Sequence, residues 1–202
     1  HTWDSSWHGI AGAKDLYHGD FVAFRAHADD YLAYLRKEIT ADGVFVQGCG
    51  YTRSRLTHEK RMQKHVFMDL CVRHDYYDFY NDPLFQKLYE WAYGYNLTPF
   101  RRAWTFGDAK TSKNHTWNLG ALKVHRFSEV AARYARWACG PFGPEKDDER
   151  RRLVHFVLGD QEPASEPLQP VSRIFDDGGA WFYEERDDPK ALAIAMWNAT
   201  KS

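Results

Sequence analysis

The chain has 202 residues, a net charge of −1 and 44% hydrophobic residues. That is enough for one large domain with a real core, and it lacks the basic surplus that marks a nucleic-acid partner. Three cysteines, Cys49, Cys71 and Cys139, are odd in number and far apart, which excludes a disulfide framework and zinc spacing. No apolar run approaches the roughly 20 residues of a membrane span. Aromatic residues are the outlier at 16%; they suit stacking on sugar rings as well as packing in a core.

Residues 1 to 19 open with His1-Thr2-Trp3-Asp4, and Ile10, Ala13, Leu16 and Tyr17 form a short helical stripe stopped at Gly19. Asp20 is placed to cap a second helix, whose apolar face is Phe21, Phe24, Ala28, Tyr31, Leu32, Leu35 and Ile39. A glycine-rich stretch, Asp42 to Arg55, follows. Another helical stripe runs from about Leu56 to Tyr77. Asp82 as cap and Pro83 at the first helical position start the next helix, with Leu84, Leu88, Trp91 and Tyr95 on one face. Residues 99 to 117 are loop-like. Leu119 to Trp137 predicts one long helix, closed by Gly140-Pro141.

The character of the chain then changes. A charged run from Glu145 to Arg152 and an apolar run to Leu158 predict one short helix. Three prolines between Gln161 and Pro170 predict a linker. Val171 to Phe175 and Ala180 to Glu184 are β-prone and separated by Asp-Asp-Gly-Gly, a hairpin signal. Ala191 to Trp197 reads both ways: its residues favour helix, and its alternation favours strand. The whole is mainly α up to residue 160, a linker over 161–170, and antiparallel strands over 171–202. Helices in pairs fit a bundle or an α/α toroid.

Tyr51 lies in the glycine-rich stretch, with Arg53 and Arg55 just after it. Cations near a phenol favour its deprotonated form, which suits proton abstraction beside a carboxylate. The same stretch also reads as a plain helix-to-helix loop with a packed tyrosine and solvated arginines. His58, His65 and His74 lack the i, i+4 spacing of a helical metal site, and no metal site is read there.

Four segments follow one another in a shared order: His1-Thr2-Trp3-Asp4, Asp42-Gly-Val-Phe-Val-Gln-Gly-Cys-Gly-Tyr51, Phe106-Gly107-Asp108, and Ser172-Arg-Ile-Phe175 with Gly178 to Tyr183. In this order the chain resembles the heparinase II/III-like and alginate-lyase superfamily of polysaccharide lyases. The second segment is similar to the family's tyrosine loop, although Gln47 stands where the family often has Glu. The resemblance implies an incomplete α/α toroid followed by the first antiparallel strands of a β-sandwich. It implies a central slice of a longer chain, whose partners are the rest of that chain and an acidic polysaccharide, with no nucleic acid and no membrane. An Asn would precede His1, and a His-x-His-x-Asp segment would follow Ser202. No cofactor is implied within the chain itself; a divalent metal would belong to the β-sandwich beyond residue 202. The implied location is secreted or periplasmic.

The implied reaction is β-elimination in a uronic-acid polysaccharide, with Tyr51 as base and acid and His1 assisting carboxylate neutralisation. Arg53, Arg55, Arg101 and Arg102 are candidates to fork uronate carboxylates. His8, Asp108 and His115 are candidates for the cleft rim, and each also reads as a packing, cap or turn residue. Two other classes stay open: a toroid glycoside hydrolase with Asp4 and Asp108 as paired carboxylates, and a module that binds acidic glycan without cleaving it.

Overall fold

The computed structural model describes residues 4–48, 63–100, 102, 104–106, 124–139, 172–186 and 188–199. Asp4–Tyr17 forms α1 and Phe21–Glu38 forms α2. The chain reverses between them, and the Asp20 carboxylate accepts from the Ala23 N–H at 3.0 Å, capping α2 as its sequence predicts. α2 turns Phe24, Ala28, Tyr31 and Leu35 into the core. Phe21 shares that spacing but is 55% exposed: it sits on the first turn, at the edge of the layer, with its ring beside His74.

Gln63–Arg73 forms α3, which packs on α1. The stripe predicted a helix to Tyr77. It ends at Arg73 because Asp75 takes a left-handed conformation (φ +51°) and the Tyr76 N–H turns back to the Cys71 carbonyl at 2.9 Å. Residues 56–62 of that predicted helix lie outside the described residues. Pro83–Glu90 forms α4, capped by Asp82, whose side chain accepts from the Leu84 N–H at 2.8 Å. The predicted continuation to Tyr95 is not α-helical. Trp91–Tyr95 is a π-helical turn, and its wider winding lets Trp91, Tyr93 and Gly94 all face inward.

The single long helix predicted from Leu119 is two helices where it is described: α5, Val124–Phe127, and α6, Glu129–Cys139. Ser128 makes the break. Its Oγ accepts from the Ala131 N–H at 3.3 Å and donates to the Glu90 carboxylate at 2.7 Å, so it caps α6 and ties it to α4. The predicted short helix after Glu145 and the 161–170 linker lie outside the described residues.

The switch to a two-residue period is borne out. Arg173–Phe175 (β1), Gly179–Tyr183 (β2) and Ala193–Trp197 (β3) form an antiparallel sheet in the order β1-β2-β3. Register pairs Ile174 with Ala180, Trp181 with Ala195, and Phe182 with Ile194. The segment that reads both ways is therefore a strand, fixed by its ladder to β2. Phe175, Trp181 and Tyr183 are buried on the inner face. Trp181 meets Trp91 edge to face at 5.8 Å and Phe175 at 5.3 Å, so sheet and helices share one aromatic core. Fully burying one such side chain contributes roughly 1.5–3 kcal/mol. The described chain is mainly helical with this one small sheet.

Candidate functional site

The entry to the glycine-rich stretch is a tight turn. The Val46 N–H donates to the Glu38 carbonyl at 2.9 Å, the Thr40 N–H to the Val44 carbonyl at 2.9 Å, and the Val44 N–H to Thr40 Oγ1 at 2.9 Å. Gly43 holds φ +93°, and a Cβ there would lie 2.6 Å from the Lys87 Cβ on α4, so no other residue fits without displacing α4. The Gln47 amide donates to the Glu38 carboxylate. A glutamate at 47, common in the lyase family, would set two carboxylates against each other here. The second carboxylate oxygen of Asp42 accepts from the Asp177 N–H at 3.1 Å, clipping this turn to the β1–β2 hairpin.

Gly48 then carries the chain towards Tyr51. At φ +90°, its hypothetical Cβ would lie 3.2 Å from the Phe106 carbonyl oxygen and 3.7 Å from the Trp197 ring. The described end of the segment that leads to Tyr51 thus runs close beside both Phe106, on the way to Asp108, and strand β3. Trp104, Phe106 and Trp197 form a ladder of near-parallel rings: 6.2 Å and 15° between the first two, 6.5 Å and 19° between the last two. All three are half-buried.

The ladder is anchored from below. Trp104 Nε1 donates to the Tyr183 hydroxyl at 2.9 Å, and the single proton of that hydroxyl is shared between the Tyr95 carbonyl and the Leu97 carbonyl, the latter at 3.0 Å. The Thr98 N–H donates to the Arg102 carbonyl at 2.7 Å, which folds the 96–106 segment back on itself. Half-buried rings fixed in one plane direction offer flat apolar faces of the kind that stack on pyranose rings.

No protein-family model, no curated protein and no solved structure matches the chain. Of the positions that the sequence singles out, Tyr51, His1, Arg53, Arg55, Arg101, Asp108 and His115 lie outside the described residues. His8 is carried on α1. Arg102 is exposed on the 96–106 segment. What the structure brings together are the flanks: Gly48 on the Tyr51 side and Phe106 on the Asp108 side.

Other phenols in the described core are held protonated. Burial pushes up the hydroxyls of Tyr31, Tyr80, Tyr89, Tyr95 and Tyr134, and it does the same at Tyr76 and Tyr77, where Asp29 and Asp82 add to it. None of these is prepared to act as a base near neutral pH. Among the described residues, no group of three or more His, Cys, Asp or Glu could share a metal ion, and no helix is long and apolar enough to cross a membrane.

Sequence reasoning did not single out Trp104, Trp197 or Tyr183 as site residues. The one signal was the spacing of Trp104 and Phe106, two apart in a polar loop, which puts both rings on one side of an extended chain.

Proposed function

We propose that this chain carries the catalytic region of a polysaccharide lyase of the heparinase II/III-like or alginate-lyase type, acting on an acidic, uronate-containing glycan. The observation that carries the reading is the close approach of the Gly48 backbone to Phe106 and Trp197, which leaves only the width of a missing side chain between them. It supports a cleft in which the Tyr51 loop opens beside an aromatic ladder able to hold a sugar ring. In the proposed reaction a uronate carboxylate is neutralised, with His1 assisting. Tyr51 removes the C5 proton, the C4–O bond breaks as a C4–C5 double bond forms, and the tyrosine proton passes to the leaving oxygen. Arg53, Arg55, Arg101 and Arg102 would hold neighbouring carboxylates. On this reading the helical hairpins belong to an α/α toroid and the sheet is the opening layer of a β-sandwich. Its location would be secreted or periplasmic.

The test is direct. β-Elimination leaves an unsaturated uronate that absorbs in the ultraviolet, whereas a hydrolase acting through Asp4 and Asp108 gives products without that absorbance. Incubation of polyuronates with the intact longer protein should produce the absorbance, and Tyr51→Phe in it should lower the rate by at least roughly 10²-fold, the lower end for a general acid/base, while leaving glycan binding and folding largely intact. Wild-type-like turnover in the Phe variant would remove Tyr51 from the mechanism. Binding without any product would favour a glycan-binding module.

A further inference from the structure

Strand β2 is followed by a run of charged residues, Glu184-Glu185-Arg186-Asp187-Asp188, a composition usual at solvated surfaces. Arg186 departs from it. It follows strand β2, and its side chain is 2% exposed. Its guanidinium lies over three rings: Tyr183 at 4.2 Å, Trp137 at 5.0 Å and Tyr134 at 5.2 Å. Nη1 donates to the Leu97 carbonyl at 2.7 Å. Nε and Nη2 are buried with no hydrogen-bond partner. Among the described residues no carboxylate forms an ion pair with it.

Those two nitrogens form one edge of the guanidinium. It is the edge that presents two parallel N–H bonds, the geometry that matches the two oxygens of a carboxylate. Aromatic faces attract a cation but accept no in-plane hydrogen bond, so they leave that edge unsatisfied. A buried charge with no counterion, and with acceptors on one nitrogen alone, is unfavourable, and the unmet edge has the shape of a carboxylate. Two of the ring-bearing residues keep a trace of exposure, 6% at Tyr134 and 5% at Trp137.

We propose that Arg186 is a binding site for the carboxylate of a small organic acid, which its Nε and Nη2 edge receives within the cage of Tyr134, Trp137 and Tyr183. The charge of Arg186 is felt at Tyr134 and Tyr95, where it opposes the upward push of burial on both phenols. The site does not depend on the lyase reading, since it involves neither Tyr51 nor the ladder's outer faces. If that reading also holds, a uronate is the natural ligand.

The experiment is a titration of the 202-residue chain followed by heteronuclear NMR of the arginine Nε–H groups. Sodium glucuronate, sodium acetate, sodium sulfate and glucose are compared at constant ionic strength. One Nε–H signal, absent in Arg186→Lys, should move downfield and saturate with glucuronate and acetate, with the Tyr183 and Trp137 ring signals moving alongside it. Glucose should do nothing, and glucuronate should raise the Tm of the wild type but not of Arg186→Lys. If that variant does not fold, the coupled movement of the Nε–H and the two rings in the wild type identifies the site. No carboxylate response, an equal response to sulfate, an unchanged response in Arg186→Lys, or an Nε–H already downfield before any addition would each overturn the proposal. Loss of lyase activity with this response intact would overturn only the lyase reading.

Discussion

Cys71 shows how one side chain reports on the core around it. It is fully buried on α3, and burial pushes its thiol up to about 12. The thiolate is the reactive form, so native Cys71 should resist iodoacetamide near neutral pH and react once the chain is unfolded, as read by mass spectrometry of its peptide. The same shift sets an alkaline limit. A group whose folded pKa is raised contributes stability that is complete below its unfolded value and lost as pH rises through the folded one. For Cys71 that window runs from about 9 to about 12, and for Tyr76 from about 10 to about 12. Stability should be insensitive to these two groups near neutrality and fall steeply above about pH 9, measured as the urea midpoint against pH. A midpoint unchanged up to pH 11 would place both groups in water. At this scale the sequence was uneven. The turn at Gly43 was legible because only glycine serves there, whereas Arg186 was not, because four neighbouring acids make it look solvated.

At the scale of elements, caps were legible and breaks were not. Asp20 and Asp82 announce their helices because a cap is a local bond, readable from a few adjacent residues. Ser128 is a cap too, but it sits inside a continuous apolar stripe. Its reason for interrupting that stripe is Glu90, on a different helix. The π-helical turn at Trp91–Tyr95 has the same kind of cause: large rings on successive faces must all be buried, which only tertiary packing decides. Ser128→Ala removes both the cap and the tie to α4. It should cost about 1–2 kcal/mol, read from urea unfolding, with the π turn and α6 losing amide-exchange protection first. Ser128→Asp would keep a cap but set a carboxylate against Glu90, so it should not restore the loss. Restoration by Asp would show that the cap alone matters and that the bond to Glu90 contributes nothing.

For the whole molecule the informative feature is the sheet, where the period was legible and the side was not. In β3 the large residues Ile194 and Met196 alternate with alanines, and a reading from size alone would bury the large ones. The opposite holds: Ala193, Ala195 and Trp197 face the core, and Ile194 and Met196 are 47% and 58% exposed. Trp181 explains it. Its indole lies opposite Ala195 in the ladder and against Trp91, so the inner side has space only for small residues there. Ile174 at 68% and Phe182 at 38% complete an apolar outer face across all three strands. An antiparallel sheet with one face on the core and one in water normally alternates apolar and polar; a layer apolar on both faces is built to be covered on both. This supports the sandwich reading and predicts the behaviour of the 202-residue chain by itself. It should self-associate through that face as concentration rises, because an exposed apolar patch favours contact. Ile194→Lys with Met196→Lys should abolish the association in sedimentation velocity and leave the circular dichroism unchanged, since both side chains already point outward. A wild-type chain that stays monomeric throughout the concentration series would show that the outer face needs no second layer, and the sandwich would lose its main support.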